Sequence, residues 1–287
     1  MKNKPTFILT VSCPGRSGIV AAIGNFLADR ACFIKELHQY DDLDFGRFFC
    51  TIEFFFEGAQ KPHADQLRAA FEMTAMGFNM EWAIHDTAEP TKVLIMVSKY
   101  DHCLRDLLYR RSTGELNIDI TAIVSNHEDL RKLADQEGVP YIHLPMTREN
   151  KPEQEARLLA LVEETGTELV VLARYMQILS PEFVKKYPHK IINIHHSFLP
   201  AFVGSNPYKQ AFHRGVKIIG ATSHFVTEEL DDGQIIAQDI IRISHKDTIK
   251  DLIRKGRDLE RFVLARALHS HFEHRVLVNG KKTIIFE

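Results

Sequence analysis

From Lys92 onward the sequence alternates short, unbroken apolar runs with stretches of helical spacing, and this alternation constrains the fold more than any other feature. The runs Lys92–Val97, Asp119–Val124, Val139–Leu144 and Leu169–Leu172 read as strands. Between them, His102–Tyr109, Glu128–Gln136 and Glu153–Glu163 carry apolar residues at the three- and four-residue intervals of helices. Several of the strands lack polar–apolar alternation, so both of their faces are expected to be buried, as in a parallel sheet with helices on either side. The pattern predicts a doubly wound, mostly parallel α/β domain over residues 92–287. Ligands of such sheets sit outside the carboxyl ends of the strands, near the point where strand order reverses. A further strand, Lys190–Ile194, delivers Asn193, His195 and His196 to that edge, and Ser197-Phe198-Leu199-Pro200 turns the chain away. Asp247–Glu273 reads as a long helix of mixed charge on which His269, His271 and His274 are solvated, followed by a short extended tail to Phe286.

Residues 1–86 follow a different plan. Thr6–Val11 reads as a strand, Cys13-Pro14-Gly15-Arg16-Ser17-Gly18 as a turn, and Ile19, Ile23, Phe26 and Leu27 as one face of a helix. Cys32–Tyr40 and the Phe-rich Arg47–Phe56 read as strands joined through a polar connection. Helical spacing returns at Ala64, Leu67, Phe71 and Met76, and Asn79–Ile84 closes a βαββαβ series, the ferredoxin-like order. The polar residues 87–91 form the predicted linker, and the Phe-rich strand suits a sheet core or a subunit contact.

Charge excludes some functions. With 36 Lys+Arg against 38 Asp+Glu, the net charge of −2 does not suit a protein that grips nucleic-acid backbone. No apolar run reaches the roughly 20 residues of a membrane span, and the apolar start is too short for a secretory signal, so a cytoplasmic protein is expected. The cysteines Cys13, Cys32, Cys50 and Cys103 form no C-x-x-C pair and are expected to be reduced and packed. His195, His196 and His224 invite a metal, but no Cys or carboxylate stands at a closed-site spacing, and no metal is expected.

Asn193 and His195 stand two apart at a strand end, so the pleat points both to one side. An amide N–H suits a developing oxyanion and an imidazole passes a proton near neutral pH. The same spacing also describes a polar strand terminus satisfying its own backbone. Downstream, Gly220–Val226 reads as a strand entering a loop with four carboxylates, Glu228, Glu229, Asp231 and Asp232, before Gly233. The loop is either a solvated hairpin turn or a device that folds one carboxylate back onto His195.

Taken together, Asn-x-His-x-Ser-x-Leu-Pro-Ala-Phe at 193–202, Gly-Ala-Thr-x-His-x-Val at 220–226 and Leu-Asp-x-Gly-x-Ile-Ile-x-Gln at 230–238 resemble the folate-dependent formyltransferase domain. The resemblance implies a catalytic set of Asn193, His195 and Asp231. It also implies that Met176, Gln177, Ile178 and Leu179, in a segment similar to the one that receives the pterin head, bind folate together with Glu228, Glu229 and Leu230. Members of that family that use a ribonucleotide phosphate carry a Gly-Ser-Asn loop after the first strand. Here Ser98-Lys99-Tyr100-Asp101-His102 offers no glycine to admit a phosphate and an aspartate that repels it. Water then becomes the natural acceptor. The turn at 13–20 resembles that of ACT domains, with Gly15 where many have aspartate and Ser17 where many have proline. An ACT-like module ahead of such a domain, with Gly204-Ser205-Asn206-Pro207-Tyr208, Arg214-Gly215-Val216-Lys217 and Gly256-Arg257-Asp258-Leu259-Glu260, resembles the formyltetrahydrofolate deformylase family. The resemblance implies hydrolysis of 10-formyltetrahydrofolate without a cofactor, a homo-oligomer, and an amino-acid effector such as glycine or methionine. The rival expectation is a transferase that passes the formyl group to an amine.

Overall fold

The computed structural model describes residues 6–58, 63–201 and 207–287. It divides into two units, one holding Met1–Pro90 with Glu273–Asn279 and Ile284–Glu287, the other Thr91–Phe272 with Gly280–Thr283. Phe202 and the Gly204-Ser205-Asn206 run lie outside the described residues. No helix among the described residues is long and apolar enough to cross a membrane.

The first unit runs β1 (Thr6–Pro14), α1 (Ile19–Ala28), β2 (Cys32–Asp42), β3 (Arg47–Phe56), α2 (Ala64–Phe78) and β4 (Glu81–Asp86), the predicted βαββαβ order. Its strands form one antiparallel sheet in the order β2-β3-β1-β4. Ile19, Ile23, Phe26 and Leu27 of α1 and Leu67, Phe71 and Ala75 of α2 are buried against it, as their spacing requires. The Phe26 and Phe71 rings meet edge to face at 4.9 Å, and Phe7 stacks on Phe54 at 5.7 Å. The Phe-rich strand is therefore core. Each such side chain removed from water contributes roughly 1.5–3 kcal/mol.

The C-terminal tail departs from the expected division. Residues 273–279 and 284–287 belong to the first unit and not to the second. The long helix ends at Phe272, and His274 takes a left-handed φ of 54° that turns the chain. Asn279 Nδ2 then donates to Asp42 Oδ2 at 2.7 Å, both buried, and the His274 ring stacks on His85 at 3.5 Å. The expectation of solvated histidines is thereby corrected: His269, His271 and His274 are all half-buried, with His271 edge-on to Phe225 at 5.9 Å.

The second unit follows with β5 (Thr91–Val97), α3 (His102–Ser112), β6 (Ile118–Ser125), α4 (Arg131–Gln136), β7 (Tyr141–His143), α5 (Lys151–Thr165) and β8 (Leu169–Leu172). It continues with α6 (Pro181–Lys186), β9 (Ile191–His195), α7 (Pro207–Arg214), β10 (Ile218–Phe225), β11 (Ile235–Arg242) and α8 (Ile249–Phe272). Seven strands lie in the order β11-β10-β9-β8-β5-β6-β7. The five from β9 to β7 are parallel, while β10 pairs antiparallel with β9 and β11 antiparallel with β10. Val93, Leu94, Ile95, Met96 and Val97 are all buried, which accounts for the unbroken apolar run of β5. Strand order reverses between β5 and β8, so their carboxyl ends, at Val97 and Leu172, open the crevice in which a ligand is expected.

Candidate active site

Three segments converge at that crevice. The first is the end of β9, where Ile192 and Ile194 are buried in the sheet while Asn193 and His195 line a cavity of about 320 Å³. β10 runs antiparallel to β9 and sets His224 directly across from Asn193. His224 Nδ1 lies 2.8 Å from the Phe225 carbonyl, which only accepts, so Nδ1 carries the proton and Nε2 is the acceptor. Burial holds the His224 pKa below its ordinary value and keeps the ring neutral at physiological pH, as this arrangement needs. Asn193 Nδ2 donates to His224 Nε2 at 3.2 Å. The Asn193 amide is thus oriented nitrogen-first, and its second N–H remains for a ligand in the cavity.

The β10–β11 loop is the second segment. It is a hairpin loop, and it also folds a carboxylate back: Asp231 Oδ2 lies 3.4 Å from His195 Nδ1, long for a hydrogen bond, and Oδ1 lies 3.7 Å from His224 Nε2. Asp231 holds a left-handed φ of 57°, a cost of the order of 1–3 kcal/mol that persists only where the surroundings fix it. Burial alone pushes the Asp231 carboxyl up, but its interaction with His195 outweighs it and holds the group below its ordinary range. With Nδ1 of His195 facing Asp231, Nε2 is buried with no hydrogen-bond partner among the described residues.

Residues 173–179, the third segment, form the opposite wall. Ser98, just past the end of β5, accepts the Met176 N–H at 3.0 Å and donates to Asn126 Oδ1 at 2.7 Å, tying this wall to the switch point. Met176, Ile178 and Leu230 are exposed apolar side chains on the cavity rim, suited to covering a flat ring. The structure brings together Met176, Gln177, Ile178, Leu179, Asn193, His195, Glu228, Leu230 and Asp231. Glu229 stands in the same loop outside this lining, and its carbonyl accepts the Thr227 hydroxyl at 3.1 Å.

Sequence reasoning missed the orienting role of His224, the tether at Ser98, and a buried polar group behind the site. In that group Glu260 of α8 accepts from Tyr208 and lies 2.9 Å from His102 Nε2 and 3.2 Å from Arg174 Nε. Gly256 makes this possible, since a Cβ there would lie 2.1 Å from the Tyr208 hydroxyl. His102, Cys103 and Glu260 place ligand atoms within 4.8 Å of one another. A cation is opposed there by the Arg174 guanidinium, and burial pushes the Cys103 thiol up and keeps it protonated.

Residues 91–268 match the family model described as formyl transferase, so the larger unit is a formyl transferase domain. A glycinamide ribonucleotide transformylase from Symbiobacterium toebii aligns with 69% of this chain and 95% of its own, at 28% identity and a TM-score of 0.65. Similarity to another group extends across both units. A formyltetrahydrofolate deformylase of Synechocystis sp. is 47% identical over 281 residues, 98% of each chain. The crystal structure of a formyltetrahydrofolate deformylase from Pseudomonas syringae pv. tomato has a TM-score of 0.97 at 46% identity, covering 100% of this chain and 96% of that one. The chain belongs to the formyltetrahydrofolate deformylase family.

Proposed function

We propose that this cavity hydrolyses 10-formyltetrahydrofolate to formate and tetrahydrofolate, with Asn193, His195 and Asp231 as the reacting set. One observation carries the reading: His195 faces the Asp231 carboxylate with one nitrogen while the other is buried with no partner among the described residues, beside an amide N–H that His224 aims into the same space. The pterin rests against the backbone of 176–179 and under the apolar rim. Glu228 and Leu230 complete the binding wall.

His195 Nε2 takes a proton from water as the water oxygen bonds to the formyl carbon, and the carbonyl π pair moves onto its oxygen. Asn193 Nδ2–H receives that oxyanion, and Asp231 stabilises the imidazolium just formed. The tetrahedral centre then collapses, the C–N10 bond breaks with its pair going to N10, and His195 returns its proton there. Formic acid ionises on release. No resident cofactor is needed, because the reaction moves only protons and one acyl carbon. Asn193→Ala is expected to lower the turnover number about 100- to 1,000-fold with a modest change in KM, measured by formate release. A wild-type turnover number would remove Asn193 from the mechanism.

The βαββαβ unit is read as a pairing and regulatory module of a cytoplasmic homo-oligomer, binding an amino acid such as glycine or methionine. Its support is the left-handed turn at Gly18 that opens α1, at φ 91°. Either amino acid at millimolar concentration is expected to raise the melting temperature; no shift with any common amino acid would remove the effector role.

A further inference from the structure

Behind the reacting set lies a second cavity, of about 200 Å³. Arg174 and His196 line both cavities, so the two spaces adjoin across His196, whose ring is 5.3 Å from that of His195. The second holds a few water-sized groups and no folate. Its floor is Glu260, whose carboxylate is already engaged by His102, Tyr208 and Arg174. Burial pushes the Glu260 carboxyl up, but the His102 hydrogen bond and the Arg174 charge outweigh it, and the group stays ionised. Around this spent carboxylate stand three cations, Arg174, Arg257 and Lys209. The guanidinium carbons of Arg174 and Arg257 lie 5.4 and 5.2 Å from the Tyr100 ring centre. Arg174 is buried, its Nε has no aligned acceptor among the described residues, and its backbone is held at a left-handed φ of 66°. Such strain in a non-glycine residue marks a position the surroundings over-determine. The dividing imidazole carries no charge: burial, reinforced by Arg174, pushes the His196 pKa down to about 3.

We propose that this chamber is the product subsite for formate, held by the guanidinium groups of Arg174 and Arg257 after it passes His196. The assignment rests on the hydrolysis reading. Formate is the one product small enough to enter, and its two oxygens match a guanidinium fork. Tetrahydrofolate stays in the larger cavity, so formate and folate occupy different sites.

The test uses the full chain and sodium formate as the probe, with sodium chloride at equal ionic strength as the reference. Carbon-13 formate is titrated with folate absent and its line width followed; separately, formate inhibition of turnover is measured against varied 10-formyltetrahydrofolate. Broadening by the wild type, inhibition not competitive with substrate, and about tenfold weaker formate affinity in Arg257→Ala are expected, the loss of one charge-assisted contact. Lys209→Ala, a second exposed position on the chamber wall, is expected to weaken formate in the same direction and guards against a folding failure of the first variant. Inhibition competitive with folate, or unchanged formate affinity in both variants, would overturn the subsite. A wild type that broadens formate yet releases none from 10-formyltetrahydrofolate would overturn the hydrolysis reading and with it the product role, leaving only a formate-binding site.

Discussion

Asp231→Asn is expected to reduce formate release by about 10³- to 10⁴-fold while the protein still folds. The carboxylate can only accept, so it keeps the His195 proton on Nδ1 and leaves Nε2 free to take one from water. An asparagine amide at the same place can present its NH₂ to Nδ1, which moves the ring proton to Nε2 and removes the base. The same substitution in a Ser–His–Asp protease site costs about 10⁴-fold for this reason. Folding is spared because asparagine tolerates the left-handed φ of 57° at this position. The pH dependence of stability separates charge from shape. The Asp231 carboxyl lies below its ordinary 3.8 in the folded chain. Its contribution to stability is therefore complete above that value and is lost as pH falls through the lower, folded one. The melting-temperature gap between wild type and variant should be widest near neutrality and close below about pH 4. A gap that widened in acid would contradict this electrostatic account.

Gly233→Ala is expected to damage both stability and turnover. Gly233 is required by closeness and not by handedness: a Cβ there would stand 1.7 Å from the Phe225 carbonyl oxygen and 2.8 Å from its carbon, both backbone. Phe225 also donates its N–H to the Gln234 carbonyl at 2.9 Å, so the end of β10 and the loop exit are fastened together at this point. The loop must lift to admit a methyl group, at a cost of roughly 1–3 kcal/mol. Asp231, two residues earlier, is carried with it, and a displacement of about 1 Å in a catalytic group costs on the order of 100-fold. Thermal denaturation and the turnover number should fall together; wild-type values for both would mean that the loop does not depend on this contact.

The particular residues show which parts of this were legible in the sequence. The apolar runs of β5, β6 and β8 betray their burial on both faces, and the helical spacing of Ile19, Ile23, Phe26 and Leu27 places α1 on its sheet. The six-residue α6 has too few turns to show a period in the sequence. The antiparallel setting of β10 follows from how the chain returns to the sheet, which the apolar run at 218–225 does not encode. Asn193, His195 and Asp231 were found through their motifs. The role of His224 depends on the register that sets it opposite Asn193, which its motif alone does not show. Arg174, Tyr208 and Glu260 lie far apart in sequence and become one buried group only when α8 packs on the sheet, with Gly256 making room. The C-terminal residues were assigned to the wrong unit because one left-handed residue, His274, redirects them.

In this mechanism water accepts the formyl group at His195. Incubating the purified chain with 10-formyltetrahydrofolate in ¹⁸O-enriched water, with no amine present, tests it directly. The account predicts one formate for each tetrahydrofolate, each formate carrying a single ¹⁸O. Formate without the label, or turnover that begins only when an amine acceptor is added, would contradict it.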